Sequence, residues 1–214
     1  MIRWMKEVLL GLAVMAGLLL AVGSANAASN DQLSEAQLAV VKKLGDYFNS
    51  LTTMKGEFTQ VSPKGNVSAG VFYISKPGKM RFEYAPPNPF VIVSDGRWVT
   101  VKNNAKNKAD QYPLSATPLN LMLAKEVDLL KEAKILGVEE KSGVFWVTLE
   151  SKDSLVPGQL VLVYDPESSA LQQWIVVDGQ GRKTTVNIAK LEPGVQPDPK
   201  LFEIEVPKRR LKDE

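Results

Sequence analysis

The sequence predicts a mainly β protein: an incomplete, half-closed antiparallel β-barrel of about eleven strands, with an N-terminal helix and one or two lid helices. Three observations lead there. Strand-like runs recur about every eight to twelve residues with turn-forming residues between them. Helical periodicity occurs in only two places. A single sheet of this size has to curl to bury one face and shield its edges, and two helices are too few to cover it flat.

The first helix is predicted over Ser34–Leu51. Leu33, Ala36, Val40, Leu44, Phe48 and Leu51 fall at spacings of three and four, behind a capping box of Ser34 and Gln37. Strands follow over Lys55–Ser62, Val67–Ser75, Lys79–Ala85, Phe90–Val93 and Trp98–Lys102. In the third of these, Met80, Phe82 and Tyr84 take one face and Arg81 and Glu83 the other, so the sheet has one greasy side. The second helical stretch runs from Thr117 to Lys131, where Thr117 caps, Pro118 fits the first helical position, and Leu119, Met122, Leu123, Val127 and Leu130 form a stripe. Lys125-Glu126 and Asp128 interrupt it, so it is one helix or two short ones. Six further strands are predicted over Ala133–Glu139, Val144–Ser151, Gln159–Tyr164, Leu171–Val177, Lys183–Leu191 and Leu201–Val206.

Ahead of the domain, Arg3 and Lys6 precede an apolar run from Val8 to Val22 that ends in Ala25-Asn26-Ala27. The run is about fifteen residues, short of the roughly twenty that span a bilayer. It reads as a secretory signal cleaved after residue 27, leaving 28–214 as one domain. The expected location is therefore the periplasm, beyond the inner membrane.

The 214-residue chain has no Cys and no His. That excludes Cys–His and Ser–His–Asp catalysis, zinc sites of the usual kind, disulfides, and lipidation of the protein's own N-terminal cysteine. With 26 Lys and Arg against 24 Asp and Glu, the net charge is too balanced to hold nucleic acid. Only the tail, Lys208, Arg209, Arg210 and Lys212, is basic, and it reads as a solvated terminus. Asp95, Asp165 and Asp178 each sit in a turn signal, which favours backbone geometry over a catalytic carboxylate pair. Gly179-Gln180-Gly181 lacks the strand-to-helix context of a phosphate loop. No enzyme activity and no cofactor are expected.

Several segments resemble the periplasmic outer-membrane lipoprotein carrier family, the LolA type. They are Gly56-Glu57-Phe58-Thr59-Gln60, the run from Gly70 to Tyr84, Pro87, Ile92-Val93-Ser94-Asp95-Gly96, Thr117-Pro118-Leu119 with Leu123, and Asp198 to Ile204, which resembles the family's closing strand. The resemblance implies a monomeric half-barrel with a helical lid that carries acylated lipoproteins from an inner-membrane lipoprotein-releasing ABC transporter complex to the outer membrane, and to a receptor there where one exists. It also implies a lid latch at the position of Lys76, where most members have Arg, whose planar five-donor fork lysine lacks. Met80, Phe82, Phe72, Phe90, Ile92 and Trp98 from the sheet, with Leu119, Met122 and Leu123 from the lid, are the expected acyl-chain-binding residues. A regulatory adaptor that senses lipids or lipoproteins on the same fold is the alternative; an enzyme working through carboxylates or a Ser–Lys pair finds no convergent motif.

Overall fold

A computed structural model describes residues 33–152 and 157–207; the expected signal segment and the basic tail lie outside them. The described chain opens with helix α1 (Glu35–Ser50), whose capping box forms as read: Gln37 N–H donates to Ser34 Oγ, and Ser34 N–H to Gln37 Oε1. Six strands follow: β1 (Thr53–Val61), β2 (Val67–Ser75), β3 (Lys79–Tyr84), β4 (Phe90–Asp95), β5 (Trp98–Asn103) and β6 (Lys108–Pro113). A 3-10 turn (Leu114–Ala116) and two one-turn helices, α2 (Asn120–Leu123) and α3 (Leu129–Glu132), make the lid segment. Then come β7 (Ala133–Lys141), β8 (Val144–Ser151), β9 (Gly158–Asp165), β10 (Ala170–Asp178) and β11 (Lys183–Pro193).

All eleven strands form one antiparallel sheet in the order β6-β5-β4-β3-β2-β1-β11-β10-β9-β8-β7. The ladder stays open between β6 and β7, and the lid segment is the piece of chain that joins those two edges. Curvature can be read from one contact. Phe82 of β3 and Trp174 of β10 lie four strand spacings apart in the sheet, which is roughly 19 Å if flat. Their rings meet edge to face at 5.9 Å, so the sheet folds round on its apolar side.

Two glycines permit the aromatic packing at the centre of that side. Gly56 of β1 pairs with Phe72 of β2, and Phe58 pairs with Gly70. A Cβ on Gly56 would sit 2.6 Å from the Phe72 ring, and one on Gly70 would sit 2.0 Å from the Glu83 carbonyl oxygen. Each missing side chain makes room for the ring opposite. Phe58 then packs edge to face on Phe82 and Tyr84, and Phe72 stacks on Phe82.

Three departures from the expected elements have physical causes. The strand β6 (KADQYP) was not predicted, because an edge strand held by backbone pairing to β5 alone carries no alternating pattern. Leu201–Val206 is not a strand. Asp198 accepts the Lys200 N–H and opens a 3-10 turn over Pro199–Phe202, and the preceding strand, β11, already has β1 and β10 on its two sides. The segment therefore lies across β3 and β4, tied by Arg81 to Leu201 O, with Phe202 buried. In the lid, the Thr117 hydroxyl donates to Leu114 O and so closes the 3-10 turn instead of capping a helix. The interruption around Lys125 is real and yields two helices, not one.

The aspartates serve backbone geometry. Asp95 Oδ1 accepts from the N–H groups of Arg97 and Trp98, Asp165 Oδ1 from Glu167 and Ser168, and Asp178 Oδ1 from Gln180 and Arg182. Each is an Asx-type turn of the kind the sequence suggested.

Candidate functional site

Two cavities open on the concave side beneath the lid. The larger spans about 1170 Å³ and the smaller about 550 Å³ of empty space, each counted out to its solvent-open mouth. Both walls are almost wholly apolar. Met80, Phe82, Leu119 and Trp174 line both, so these four side chains form the partition between them.

Of the expected lining residues, Met80, Phe82, Ile92 and Leu119 border the larger cavity. Phe72, Met122 and Leu123 join Met80, Phe82 and Leu119 around the smaller one. Phe90 shares the face of Ile92 and is half-buried, but it lines neither cavity. Trp98 is a correction: it points out of the barrel and is 45% exposed. Ser94 pairs with Val99, which makes Val99 the inward residue of β5 and sends its neighbour Trp98 to the other face.

Sequence reasoning missed the residues of the far wall, above all Trp174 and Val176 of β10 and Val186 of β11. A bulge between Leu171 and Gln173 resets the alternation in β10, so Leu171 and Trp174 face the same way although three residues apart. Only pairing with β9 and β11 reveals it. A polar pair was also missed: the Tyr84 hydroxyl donates to Gln60 Oε1 at 2.8 Å within the larger cavity's wall. Burial pushes the Tyr84 phenol far up, so it stays neutral.

Lys76 takes a different partner from the one expected. Its Nζ donates to Phe48 O at 2.9 Å, at the end of α1 and not in the lid, and burial pulls its pKa down. A cation there meets the negative end of the helix dipole. The lid is held by other groups. Asn49 clamps Val127 reciprocally, Nδ2 donating to Val127 O at 3.0 Å and Val127 N–H to Oδ1 at 2.8 Å. Gly45, one turn earlier on α1, lets that backbone come close, since a Cβ would sit 3.3 Å from Val127 O. Gly78 N–H donates to Leu123 O at 2.8 Å. The chain of contacts thus runs from Lys76 through the last turn of α1 to Asn49 and the lid, while Gln37 Nε2 ties the other end of α1 to Val138 O of β7.

Fold and site together define a lidded half-barrel, an open antiparallel sheet curled around apolar cavities. The chain belongs to the family described as outer membrane lipoprotein carrier protein LolA, whose pattern it matches over residues 49–205. It is similar to the outer-membrane lipoprotein carrier proteins of Methylococcus capsulatus, at 29% identity over 81% of this chain and 87% of that one, and of Alkalilimnicola ehrlichii, at 30% over 80% and 82%. Among solved structures, a LolA superfamily protein of Nitrosomonas europaea overlays with a TM-score of 0.44 at 11% identity, covering 78% of this chain and 97% of that one. Among the described residues, no helix is long and apolar enough to cross a membrane, and no group of acidic side chains is placed to hold a metal.

Proposed function

We propose that this chain is a periplasmic carrier, exported by the segment 1–27 and working as the mature monomer 28–214, that encloses the acyl chains of lipoproteins in the two cavities. It takes them from an inner-membrane ABC-type releasing complex and delivers them to the outer membrane, without catalysing a reaction. The observation that supports this best is the pair of adjacent apolar voids beneath a lid, divided by Met80, Phe82, Leu119 and Trp174, in a chain of the carrier family.

The energetics suit transfer. Enclosing acyl chain gains about 0.8 kcal/mol per methylene, so a rigid, perfectly fitted cavity would hold its cargo too firmly to hand it on. A lid fixed by a few hydrogen bonds, which must shift to admit the chains, offsets part of that gain. Handover then needs only a more favourable acceptor.

The test is to incubate purified mature protein with inner-membrane vesicles that contain a labelled lipoprotein and its releasing complex. The expected result is label in the soluble fraction as a one-to-one complex. Failure to release label, with the protein folded and the complex active on a control carrier, would overturn the reading and leave the lipid-sensing adaptor.

A further inference from the structure

The wall of the larger cavity carries three hydrogen-bond donors that the fold does not use. Gln60 of β1, Val186 of β11 and Trp174 of β10 stand in one cross-strand row, and Thr184 is the same-face neighbour of Val186, diagonal to both Gln60 and Trp174. Such diagonal neighbours have Cβ atoms about 7 Å apart, so one ligand group can reach them together. Gln60, Thr184 and Trp174 are only 8%, 5% and 6% exposed, and all three border the cavity.

Among the described residues, the Thr184 hydroxyl and the Trp174 indole N–H have no hydrogen-bond partner, and Gln60 has only the Tyr84 hydroxyl. Whichever way the Gln60 amide is turned, at least one of its N–H bonds is left over. These atoms are not sealed in dry packing. The side-chain polar atom that is both sealed and unpaired is Thr53 Oγ1, elsewhere in the molecule. The spare donors therefore face the void. Open to the void, they can be met by water while the cavity is empty and can turn to a ligand group when it fills.

Charge narrows what they can meet. No Lys or Arg among the described residues lines the larger cavity, and its one acidic residue, Asp178, is paired to Arg182 at 2.7 Å. Lys76 borders the smaller cavity and not the larger one, on the other side of the partition, where its Nζ donates to Phe48 O. An anionic head would be buried without a counter-charge, which is strongly unfavourable, whereas a neutral carbonyl oxygen accepts what is offered.

We infer that Gln60, Thr184 and Trp174 form a carbonyl-reading cluster, which binds the ester or amide carbonyl at the head of an acyl chain and selects linked acyl groups over free fatty acids. This rests on the acyl-carrier reading and adds to it a chemical filter: hydrocarbon supplies affinity through the apolar walls, and the linkage is checked by donors.

The test uses the mature protein, with diphenylhexatriene as a probe of the apolar cavity that carries no carbonyl, and methyl laurate and laurate as competitors at neutral pH. The ester is expected to displace the probe at least about tenfold more effectively than the acid. Thr184→Val, nearly isosteric, and Gln60→Leu are each expected to lower ester affinity relative to probe affinity about fivefold, the loss of one hydrogen bond. Equal competition by acid and ester overturns the selection. Unaltered ester affinity in both variants, with probe binding intact, overturns the cluster and leaves the carrier reading standing. Should the wild-type protein bind neither probe nor ester, the carrier reading itself fails and this inference with it. Thr184→Val carries the test if Gln60→Leu, which strips Tyr84 of its partner, does not fold.

Discussion

The two flanks of the curled sheet follow the same alternation and end in opposite states. On one flank, Ile135 of β7, Val147 and Leu149 of β8, and Leu160 and Leu162 of β9 are completely buried. Residues 133–151 contribute nothing to either cavity. On the other, Met80, Phe82 and Ile92 border empty space. The difference lies in the cover. Helix α1 is tied to β7 by Gln37, sets Tyr47 6.1 Å from Tyr164 of β9, and fills that side of the groove. Only its last turn, with Tyr47 and Phe48, reaches the smaller cavity opposite Phe72 of β2; along the larger one the lid turns, with Thr117 and Leu119, stand opposite Met80, Phe82 and Ile92 and leave a gap. An inward apolar face is thus a necessary condition for a cavity, and the placing of one sixteen-residue helix decides which half of the face becomes one.

The sharpest way to break this contrast is to put the same charge into both flanks. Met80→Glu should fold and lose acyl binding, since its carboxylate can reach the voids, whereas Leu149→Glu should fail to fold, having only packed side chains around it. Circular dichroism with the probe assay checks both. Normal loading by folded Met80→Glu would remove that side chain from the binding surface.

Truncation gives the next largest difference. Leu149→Ala should cost about 2–5 kcal/mol in urea unfolding, while Ile92→Ala, which already borders a void, should cost about 1 kcal/mol. Equal costs would mean that the two flanks pack alike. On the helix that divides them, Asn49→Ala should destabilise by about 1–3 kcal/mol and speed hydrogen exchange at the Val127 amide, because it removes two bonds to the lid. Exchange at wild-type rates would show that the clamp does not hold the lid.

The smallest effect concerns acid at the cavity rim. Burial raises the Asp178 pKa, but the hydrogen bonds and charge of Arg182 and the Gln180 N–H outweigh it and hold the carboxyl below its ordinary value. A carboxylate depressed in the folded state contributes stability above its unfolded pKa of about 4, and this is lost as pH falls through the folded value. Asp178→Asn should therefore be less stable than wild type at neutral pH, with the gap closing below about pH 4 in acid titrations followed by tryptophan fluorescence. A gap that stays constant with pH would assign the loss to packing.

Local chemistry made most of this legible in the sequence. The Ser34 and Gln37 capping box, the Asp turns and the alternation in β3 all act within a few residues, and all appear in the structure as read. What escaped was set at long range. β6 is a strand because β5 needs an edge partner, Trp98 faces out because Ser94 pairs with Val99, and Trp174 faces in because of a bulge. The lysine before Pro77 was placed on the lid by analogy with an arginine that can fork across two acceptors. A lysine ammonium keeps the charge but lacks that planar fork, and here it donates to Phe48 O at the end of α1.

The segment from Leu114 to Glu132 begins where one edge of the sheet ends and finishes where the other begins. It therefore behaves less like a door on a hinge than like a drawstring threaded through both rims of a purse. Its contour length is fixed, so the span of the mouth and the slack of the cord vary together. On the proposed carrier reading, cargo that spread the rims would draw the cord taut across itself, and its release would need the rims to come together or the knot at Val127 to slip.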